Sequence, residues 1–531
     1  MNRMSPIPTR IERWRRSLPR LAVAAALCFT ALRAAQPTAP RTILLADDDD
    51  VLYRSGTRRV ARSFERWKGN PVIHGREKPW EIAIGWMSVH RDPATGRYQM
   101  WYQAFSGDRS RDRTRRCVVC YAESADGIRF SKPDLNLFDY NGGPGGNIVL
   151  TANGGRSDRY GASVVVDPSA ADPARRYKMA YFDFARDQGQ EYPGLCVAFS
   201  PDGIHWTKHS QAPLLRAFYG DYEEPVPFVG ETNRPWAIPL SASDGTDAFY
   251  DPVRGVFAIY GKMWIDGPAG GMGWKHGIGR TESRDFVHWS APRLLLTPDD
   301  ADPPGLEFHT APVFWHAGRY FALIQILNRA EGGGVVDVEL GISGDGLRWN
   351  RPFRRNLVLP RGGDRGFDSG AVLTCATPVV LEDEIRFYYG GYSGGATGGD
   401  DYSFTTGIGF ATLRRDRFAG IRPVDRSAEP TLRKPLEGVG QVTLKPVDLE
   451  GFRHLTVNAD ATGGAVRVEL LGEDGRRLRG FAGGDAVPLR GDGLRHEARW
   501  TGQAEGALPH GRAMIRLHLE RATVYAVTLS P

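Results

Sequence analysis

Cysteine is scarce in this chain of 531 residues, which contains five, one of them Cys28 near the N-terminus. Cys117 and Cys120 form a Cys-x-x-Cys pair, but a cysteine-rich zinc site needs a second such pair, so structural zinc is not indicated. Residues three apart in a strand point to opposite faces, which places these two thiols poorly for a disulfide. We therefore predict buried free thiols, no metal and no cofactor, and leave open only a structural calcium ion.

A hydrophobic run long enough to cross a membrane is also absent. Four arginines between positions 13 and 20 precede a mostly apolar run of 12 residues, Leu21–Leu32, and the small residues Ala34 and Ala35 follow. Twelve residues are too few for a permanent anchor, whereas basic, apolar and small residues in this order are typical of an export signal. We expect residues 1–35 to be a signal peptide of a periplasmic or extracellular protein with no permanent membrane anchor.

The chain has no excess of charge outside its N-terminal segment. Residues 1–35 contain seven Arg and one Glu, which accounts for the whole formal net charge of +6 and leaves the rest close to neutral. Proteins that bind nucleic acid usually present a basic surface. Nucleic acid is therefore not predicted as a partner, and the oligomeric state is left open.

Long helical periodicity is missing after residue 40, while 64 glycines and 36 prolines are present, as is typical of a turn-rich, all-β protein. In its place, one strand pattern recurs five times. Its copies are Tyr98–Tyr102, Tyr177–Tyr181, Val256–Tyr260, Tyr320–Ile324 and Ile385–Tyr389. Their first residues are 79, 79, 64 and 65 positions apart, which indicates a repeated structural unit.

A turn pattern follows each of these strands. Its copies are Ser124–Phe130, Ser200–Trp206, Ser283–Trp289, Ser343–Trp349 and a shorter fifth, Asp416–Phe418. The Asp-Gly pair within the pattern suits a tight turn, because Gly accepts positive φ and Asp can bind its own backbone. A repeat of this length fits one four-stranded sheet, and repeated four-stranded sheets form a β-propeller. We predict a five-bladed β-propeller in which the repeated motifs are scaffold.

The predicted domain order follows from these boundaries. Residues 36–78 form a lead-in segment, residues 79–425 the five-bladed β-propeller, and residues 436–531 a C-terminal β-sandwich, because short alternating stretches and turns fill that last region. The β-sandwich is interpreted as a packing module, with a carbohydrate-binding module as the alternative. The acidic run Asp47–Asp50 is interpreted as a solvated turn.

An acidic residue stands near the start of each predicted innermost strand, where the blades converge on the axis. These candidate catalytic residues are Glu81, Asp158, Asp244, Glu307 and Asp368, with Asp247 close to Asp244. Crowded carboxylates cannot all keep their ordinary pKa values, so that one can act as an acid while another stays a base or nucleophile. Cleavage of a glycosidic bond needs such a pair, which makes a carbohydrate the predicted substrate.

Residues near the same strands are predicted to bind that carbohydrate. They are Trp80, Trp86, Tyr160, Arg280 and His309, and Trp236, Trp264 and Trp274 are further candidates. Tryptophan offers a flat apolar face on which a sugar ring can stack, although most tryptophans of a propeller belong to its core.

Several segments resemble those of known carbohydrate-active proteins. They are Asn70-Pro71-Val72 with Trp80-Glu81, Glu282–Trp289, Ser343–Phe353, Tyr388–Gly391 and Arg453–Asn458. Over nearly all of the chain after the signal, the layout resembles the five-bladed glycoside hydrolases of families 32 and 43, and more closely secreted bacterial proteins that are similar to family 32. The resemblance implies a glycosidase (an O-glycosyl hydrolase) that acts by paired carboxylates.

The chain departs from the family 32 pattern in its motifs. It has neither the Asn-Asp-Pro motif nor the Glu-Cys motif of that family. Asp92-Pro93 matches a further motif, but Asp167-Pro168 and Asp251-Pro252 occupy the same place before later strands, so we interpret all three as turns. Invertase or fructanase activity is therefore not supported.

The roles of the candidate acids are assigned from the family 43 plan, which the resemblance implies. Asp158 or Glu81 is the predicted base or nucleophile, Glu307 or Asp244 the proton donor, and Asp368 the residue that adjusts the donor's pKa. The alternative is a non-catalytic carbohydrate-binding propeller protein, because no complete catalytic signature is present.

Overall fold

A computed structural model describes residues 39–106, 113–154, 160–187, 190–216, 245–265, 275–331, 333–396, 404–424 and 437–531. The predicted signal peptide lies outside these residues. Their regular structure consists of β-strands and two short 3₁₀ turns, Arg113–Arg115 and Pro173–Arg175, so the all-β prediction is confirmed. Within the described ranges, no helix has the length and apolar character needed to cross a membrane.

Five short strands precede the repeats. They are β1 (Arg41–Leu44), β2 (Val51–Ser55), β3 (Thr57–Ala61), β4 (Glu65–Arg66) and β5 (Ile73–His74).

Three antiparallel sheets follow in chain order. Sheet I contains β6 (Ala83–Arg91), β7 (Tyr98–Phe105) and β8 (Cys117–Ser124); a separate hairpin of β9 (Asp139–Tyr140) and β10 (Gly143–Pro144) precedes its last strand, β11 (Ile148–Thr151). Sheet II contains β12 (Tyr160–Val166), β13 (Tyr177–Asp187), β14 (Gln190–Ser200), β15 (Thr207–Lys208) and β16 (Leu215–Arg216). Sheet III contains β17 (Ala248–Asp251), β18 (Val256–Ile265), β19 (Lys275–Ser283) and β20 (Arg293–Leu296).

Two more sheets of this kind come next, joined to each other by a single parallel pair of residues, Val336 and Ala371. Sheet IV contains β21 (Leu306–Phe308), β22 (Val313–His316), β23 (Arg319–Asn328) and β24 (Val335–Ser343). Sheet V contains β25 (Ala371–Thr374), β26 (Val379–Val380), β27 (Glu384–Tyr392) and β28 (Thr406–Arg414), and β4 and β5 pair with β28.

The C-terminal strands build a sheet of ten strands, called sheet VI. Its own strands are β29 (Ala419–Pro423), β30 (Val439–Leu444), β31 (Val447–Asp448), β32 (His454–Gly472), β33 (Leu489–Glu497), β34 (Arg512–Glu520) and β35 (Thr523–Ser530), and β1, β2 and β3 join them. Its core is aliphatic, with Phe481 and Trp500 packed at one side.

The first strands of sheets I to V pack against one another in a chain of contacts, and we call the line along which they run the axis. β12 contacts both β6 and β17, β17 contacts β22, and β25 and β26 contact β6. Hydroxyl groups bridge neighbouring strands: Ser88 Oγ accepts from the N–H of Val164, and Ser163 Oγ accepts from the N–H of Ala248. We call the end at which β6, β12, β17, β21 and β25 begin the upper end of the axis, and the opposite end the lower end.

The Ser-x-Asp turns are alike in all four complete copies. In the first, Ser124 Oγ accepts from the N–H of Gly127 at 2.9 Å, and Asp126 Oδ1 accepts from the N–H groups of Ile128 and Arg129 at 2.8 Å. The turns that begin at Ser200, Ser283 and Ser343 repeat these bonds. The side chains replace the backbone partners that a strand would supply, which is why the turn recurs.

Aromatic side chains of one sheet bind the turn of the next sheet. Trp101 of sheet I donates to the carbonyl of Gly203 at 2.6 Å, Tyr260 of sheet III to that of Gly346 at 2.6 Å, and Tyr388 of sheet V to that of Gly127 at 2.6 Å. These bonds link sheet I to sheet II, sheet III to sheet IV and sheet V to sheet I, which is the scaffold role that the sequence predicted for the motifs.

The Asp-Pro turns also behave as the sequence predicted. Asp92 Oδ1 accepts from the N–H of Ala94 at 2.8 Å, Asp167 Oδ1 from that of Ser169 at 3.1 Å, and Asp251 Oδ1 from that of Val253 at 3.1 Å. Each carboxylate closes the turn at the end of its strand.

The lead-in segment is distributed between two sheets. Its first three strands belong to sheet VI, and β4 and β5 cover the outer edge of β28, an edge that would otherwise expose unpaired backbone groups. The run Asp47–Asp50 differs from the predicted solvated turn, because Arg319 at the start of β23 lies 2.9 Å from Asp47 Oδ2 and 2.6 Å from Asp50 Oδ2. This contact fastens the lead-in segment to sheet IV.

Candidate functional site

Glu81 lies two residues before β6 and is fully buried. The Tyr102 hydroxyl donates to Oε1 at 2.6 Å, and Oε2 accepts from Lys132 Nζ at 2.7 Å and from the N–H of Lys78 at 3.2 Å. Both oxygens are satisfied, and the side chain has no surface that a substrate could reach. These contacts give Glu81 a structural role, since it holds the segment around Lys132 against sheet I.

Asp368, which precedes β25, is also bound by neighbouring side chains. Its Oδ2 accepts from Arg66 Nε at 2.8 Å and from the Tyr389 hydroxyl at 2.9 Å. Because Arg66 lies in β4, this ion pair ties the lead-in segment to sheet V. Within the described ranges, no hydrogen bond or ion pair joins Asp368 to another candidate acid. Its role of adjusting a donor's pKa stays a prediction, because Asp158 and Asp244 lie outside those ranges.

Arg280, in β19, belongs to a buried network between sheets III and IV. Its guanidinium lies 3.1 Å from Asp251 Oδ2 and 2.9 Å from Glu282 Oε2, and it donates to the Tyr260 hydroxyl. Tyr320 of sheet IV donates to the other oxygen of Asp251 at 2.7 Å. The network joins the two sheets, so Arg280 has a structural role and its guanidinium is not directed at a substrate.

Glu307 lies in β21 at the upper end of the axis and is 5% exposed. His276 Nδ1 lies 2.7 Å from Oε2, and Arg329 Nε lies 2.8 Å from Oε1. Burial raises the pKa of Glu307, but the hydrogen bond and charge of His276 and the charge of Arg329 outweigh it, so the net pKa is lowered. A lowered pKa favours the ionised form, which suits a base better than the predicted role of proton donor.

Asp247 lies directly before β17 and is 6% exposed. Burial raises the pKa of this carboxyl group to about 7, although the N–H of Ala376 and the hydroxyl of Thr310 oppose the shift. Within the described ranges, neither Oδ2 nor Thr310 Oγ1 completes a hydrogen bond of normal geometry. Asp247 is therefore a protonatable group between sheets III, IV and V, at the axis. Sequence reasoning noted it beside Asp244 but did not rank it first.

Trp86 and His309 lie near Asp247's end of the axis. A β-bulge in β6 between Gly85 and Met87 gives Trp86 a φ of 36°, a conformation that bulky residues rarely adopt. Its ring centroid is 6.3 Å from that of His309, whose Nδ1 lies 3.1 Å from Gln325 Oε1. Such strain persists only where the surroundings impose it, and it is often found at functional sites.

Four predicted residues remain. Trp80 is buried with its ring edge against Tyr140, which makes it part of the core of sheet I. Tyr160 begins β12, but the position of its side chain is not described. Asp158 and Asp244 lie outside the described residues, so their roles stay predictions. Trp236 and Trp274 also lie outside, as does the side chain of Trp264.

Thr310 relates the positions of two of the described acids, Asp247 and Glu307. Glu307 and Thr310 are three residues apart, so their Cα atoms are at most ~11 Å apart, and Thr310 faces Asp247. Glu307 and His309 are two residues apart in an extended segment and therefore share one face. Among the described residues, no group of three or more His, Cys, Asp or Glu side chains is placed to hold a metal ion. We call Trp86, Asp247, Glu307 and His309 the upper site.

Comparisons with known proteins give likenesses among solved structures only. No protein-family model matches the chain, and no curated protein matches it. A glycosyl hydrolase from Bacteroides ovatus aligns at a TM-score of 0.41 and 18% identity, over 69% of this chain and 96% of that chain. A thermostable family-43 glycoside hydrolase aligns at 0.42 and 15% identity, over 67% and 95%.

A third neighbour is a family-130 structure, from work on mannoside phosphorylases and on glycoside hydrolases that target β-1,2-mannosidic linkages in Candida mannan. It aligns at a TM-score of 0.41 and 18% identity, over 67% of this chain and 95% of that chain. Similarities at this level concern only the path of the backbone. The chemistry of this protein has to be inferred from the residues of the upper site.

Proposed function

We propose that this protein is an exported glycoside hydrolase that cleaves glycosidic bonds in an oligosaccharide or polysaccharide. In this proposal sheets I to V are the blades of a five-bladed β-propeller, sheet VI is a C-terminal β-sandwich, and the upper site is the active site. The arrangement of first strands around one axis supports the propeller.

One observation carries the proposal. Asp247 and Glu307 lie at the starts of neighbouring inner strands, and their surroundings displace their pKa values in opposite directions, Asp247 to about 7 and Glu307 below its ordinary value. At neutral pH one carboxyl group can thus hold a proton while the other stays ionised. A pair of this kind is what acid–base cleavage of a glycosidic bond requires.

The roles follow from these protonation states. Asp247 donates its proton to the glycosidic oxygen as the bond to the anomeric carbon breaks, and the leaving sugar departs as an alcohol. Glu307 takes a proton from a water molecule, whose oxygen bonds to the anomeric carbon. The inverting course needs about 6.5–9.5 Å between the two carboxyl groups to leave room for that water, whereas the retaining course needs about 5 Å. Trp86 offers a ring face to the sugar.

Asp247→Asn and Glu307→Gln test the proposal. Each change keeps the shape of the side chain and removes its proton chemistry, so we expect kcat on aryl glycosides to fall by about 10²–10⁴-fold. The matched control is Asp368→Asn, an acid at an equivalent strand start that is bound by Arg66, for which kcat per folded molecule should stay unchanged. Full activity in both Asp247→Asn and Glu307→Gln would refute the assignment.

A non-catalytic carbohydrate-binding protein is the second candidate function. It is favoured by the structural contacts of Glu81, Asp368 and Arg280, which remove three predicted residues from contact with a substrate. The same variants separate the two functions. A binding protein would show no turnover in the wild type, and its affinity for oligosaccharides would change little in Asp247→Asn or Glu307→Gln.

A further inference from the structure

The lower end of the axis opens into a cavity of about 460 Å³ that all five sheets line. Its walls include Val89 of sheet I, Val164 of sheet II, Ala248 of sheet III, Phe314 of sheet IV and Val379 of sheet V. This volume is within the range of ~300–1,000 Å³ that is usual for small-molecule sites. Asp247 and Glu307 are not among its lining residues, whereas Ala248 and Ala376, which adjoin Asp247, are, so the cavity lies directly below that carboxyl group, toward the lower end of the axis.

Exposed aromatic side chains are concentrated at the rim of this lower cavity. Among the described residues, three aromatic side chains are at least 40% exposed, and two of them, Tyr250 (50%) and Trp315 (40%), line the cavity. Val380, which also lines it, is 40% exposed, and Val253 nearby is 63% exposed. Exposed apolar groups that surround a concavity commonly mark a binding site, because exposure of such groups to water is unfavourable.

The polar groups of the cavity narrow the class of ligand. Its lining contains no Asp or Glu, so a cation would find no carboxylate there and would meet the Arg91 guanidinium. His90 Nε2 lies 2.7 Å from the carbonyl of Val164 and therefore carries a proton, which leaves Nδ1 as a hydrogen-bond acceptor in the neutral ring. Arg91 and the free acceptor of His90 can bind hydroxyl groups of a ligand, which a wholly apolar ligand would not use.

We propose that the lower cavity is a second, non-catalytic saccharide-binding site, in which a sugar ring stacks on Trp315 or Tyr250. A sugar ring combines an apolar C–H face, which suits an aromatic ring, with hydroxyl groups at its edge, which suit Arg91 and His90. The site lies at the opposite end of the axis from the upper site, so one molecule could hold two segments of a polysaccharide at once. The proposal does not depend on hydrolysis.

Isothermal titration with neutral tetrasaccharides of mannose, xylose and arabinose tests this site. We expect two sugars bound per wild-type chain for the best of the three. Trp315→Ala should weaken one of them by about tenfold or more, while Trp315→Phe, which keeps a flat ring, should retain most of the affinity. Trp86→Ala, a change in the upper site, should weaken the other sugar. Circular dichroism and a melting curve establish that each variant is folded.

Three results would overturn the proposal. The first is a binding isotherm that neither Trp315→Ala nor Tyr250→Ala changes. The second is that none of the three tetrasaccharides binds the wild-type protein at a site that is lost in Trp315→Ala. The third is a wild-type dimer in sedimentation that Trp315→Ala converts to a monomer, because the face would then be occupied by a second copy of the chain. Turnover of a short aryl glycoside, measured in parallel, reports on the upper site and separates its failure from failure of the lower one.

Discussion

Glu81 and Asp247 both precede an innermost strand, and both are buried, yet the regions around them differ. Around Glu81, at the upper end of sheet I, a lysine, a tyrosine hydroxyl and a backbone N–H satisfy both carboxylate oxygens. Around Asp247, at the meeting of sheets III, IV and V, no cation pairs with the carboxyl group among its described neighbours, and one oxygen completes no hydrogen bond within the described ranges.

The comparison shows that an acid at a strand start is not by itself a catalytic signature. A buried carboxylate with a cation and two hydrogen-bond donors is stable as an anion and contributes to the fold. A buried carboxyl group without a cation favours the protonated form, and at a pKa of about 7 it can give up its proton in the physiological range. The partners of each acid decide its role.

Removal of the cation from the Glu81 region should have the largest effect. Lys132→Met leaves the Glu81 charge buried without its partner, so we expect the free energy of unfolding to fall by about 3–5 kcal/mol, measured by urea denaturation. The double variant Lys132→Met with Glu81→Gln should recover part of that loss, because the unpaired charge is gone. A loss below about 1 kcal/mol in Lys132→Met would mean that the two regions do not differ as described.

The pH dependence of activity sharpens the comparison at Asp247. The proton donor must be protonated, so kcat/KM should fall about tenfold per pH unit above about pH 7. Glu307 must be ionised, and its lowered pKa places the acidic limb below the ordinary range of a Glu. A profile that stays level up to pH 9 would contradict the assignment of Asp247.

The free energy of unfolding should also depend on the protonation of Asp247. The folded-state pKa of Asp247 lies above its ordinary value of 3.8, so its contribution to stability is complete below that value and is lost as the pH rises through about 7. Asp247→Asn should remove this slope from the urea midpoints measured between pH 5 and pH 8, while Asp368→Asn should keep it.

The smallest effect is expected in the turns, which both regions share. Asp126→Ala removes two hydrogen bonds to backbone N–H groups and should cost about 1 kcal/mol of stability, with turnover unchanged. Arg129→Ala is the matched control, because its ion pair with Asp126 is largely exposed and should contribute less than ~0.5 kcal/mol. A loss of activity in Asp126→Ala beyond its loss of folded protein would make the turn more than scaffold.

Much of the fold could be predicted from the chain because its signals are local and repeated. Alternation in Tyr98–Tyr102 and the Asp-Gly turns need only near neighbours, and each copy supports the others. The strand partners of the lead-in segment could not be predicted in this way. Its strands pair with β28, β29, β30 and β35, which are hundreds of residues away, and short strands carry little signal of their partners.

The site could be predicted only in part for a similar reason. The chain pointed to the strand starts and included Trp86, Glu307 and His309, but it ranked Asp244 above Asp247 and treated Glu81, Asp368 and Arg280 as functional. The sequence does not show which carboxylates are paired with a cation. Lys132, which pairs with Glu81, is 51 residues away from it in the chain.

The amino-acid sequence by itself determined the strands, the turns and the period at which sheets repeat, because those depend on alternation and on backbone preferences within a few residues. Only the tertiary structure decided which acids are neutralised and which are not, and which aromatic side chains stay exposed at the lower cavity. Those properties depend on burial and on the charges that folding brings within a few ångströms, and such distances are not encoded in any short stretch of the chain.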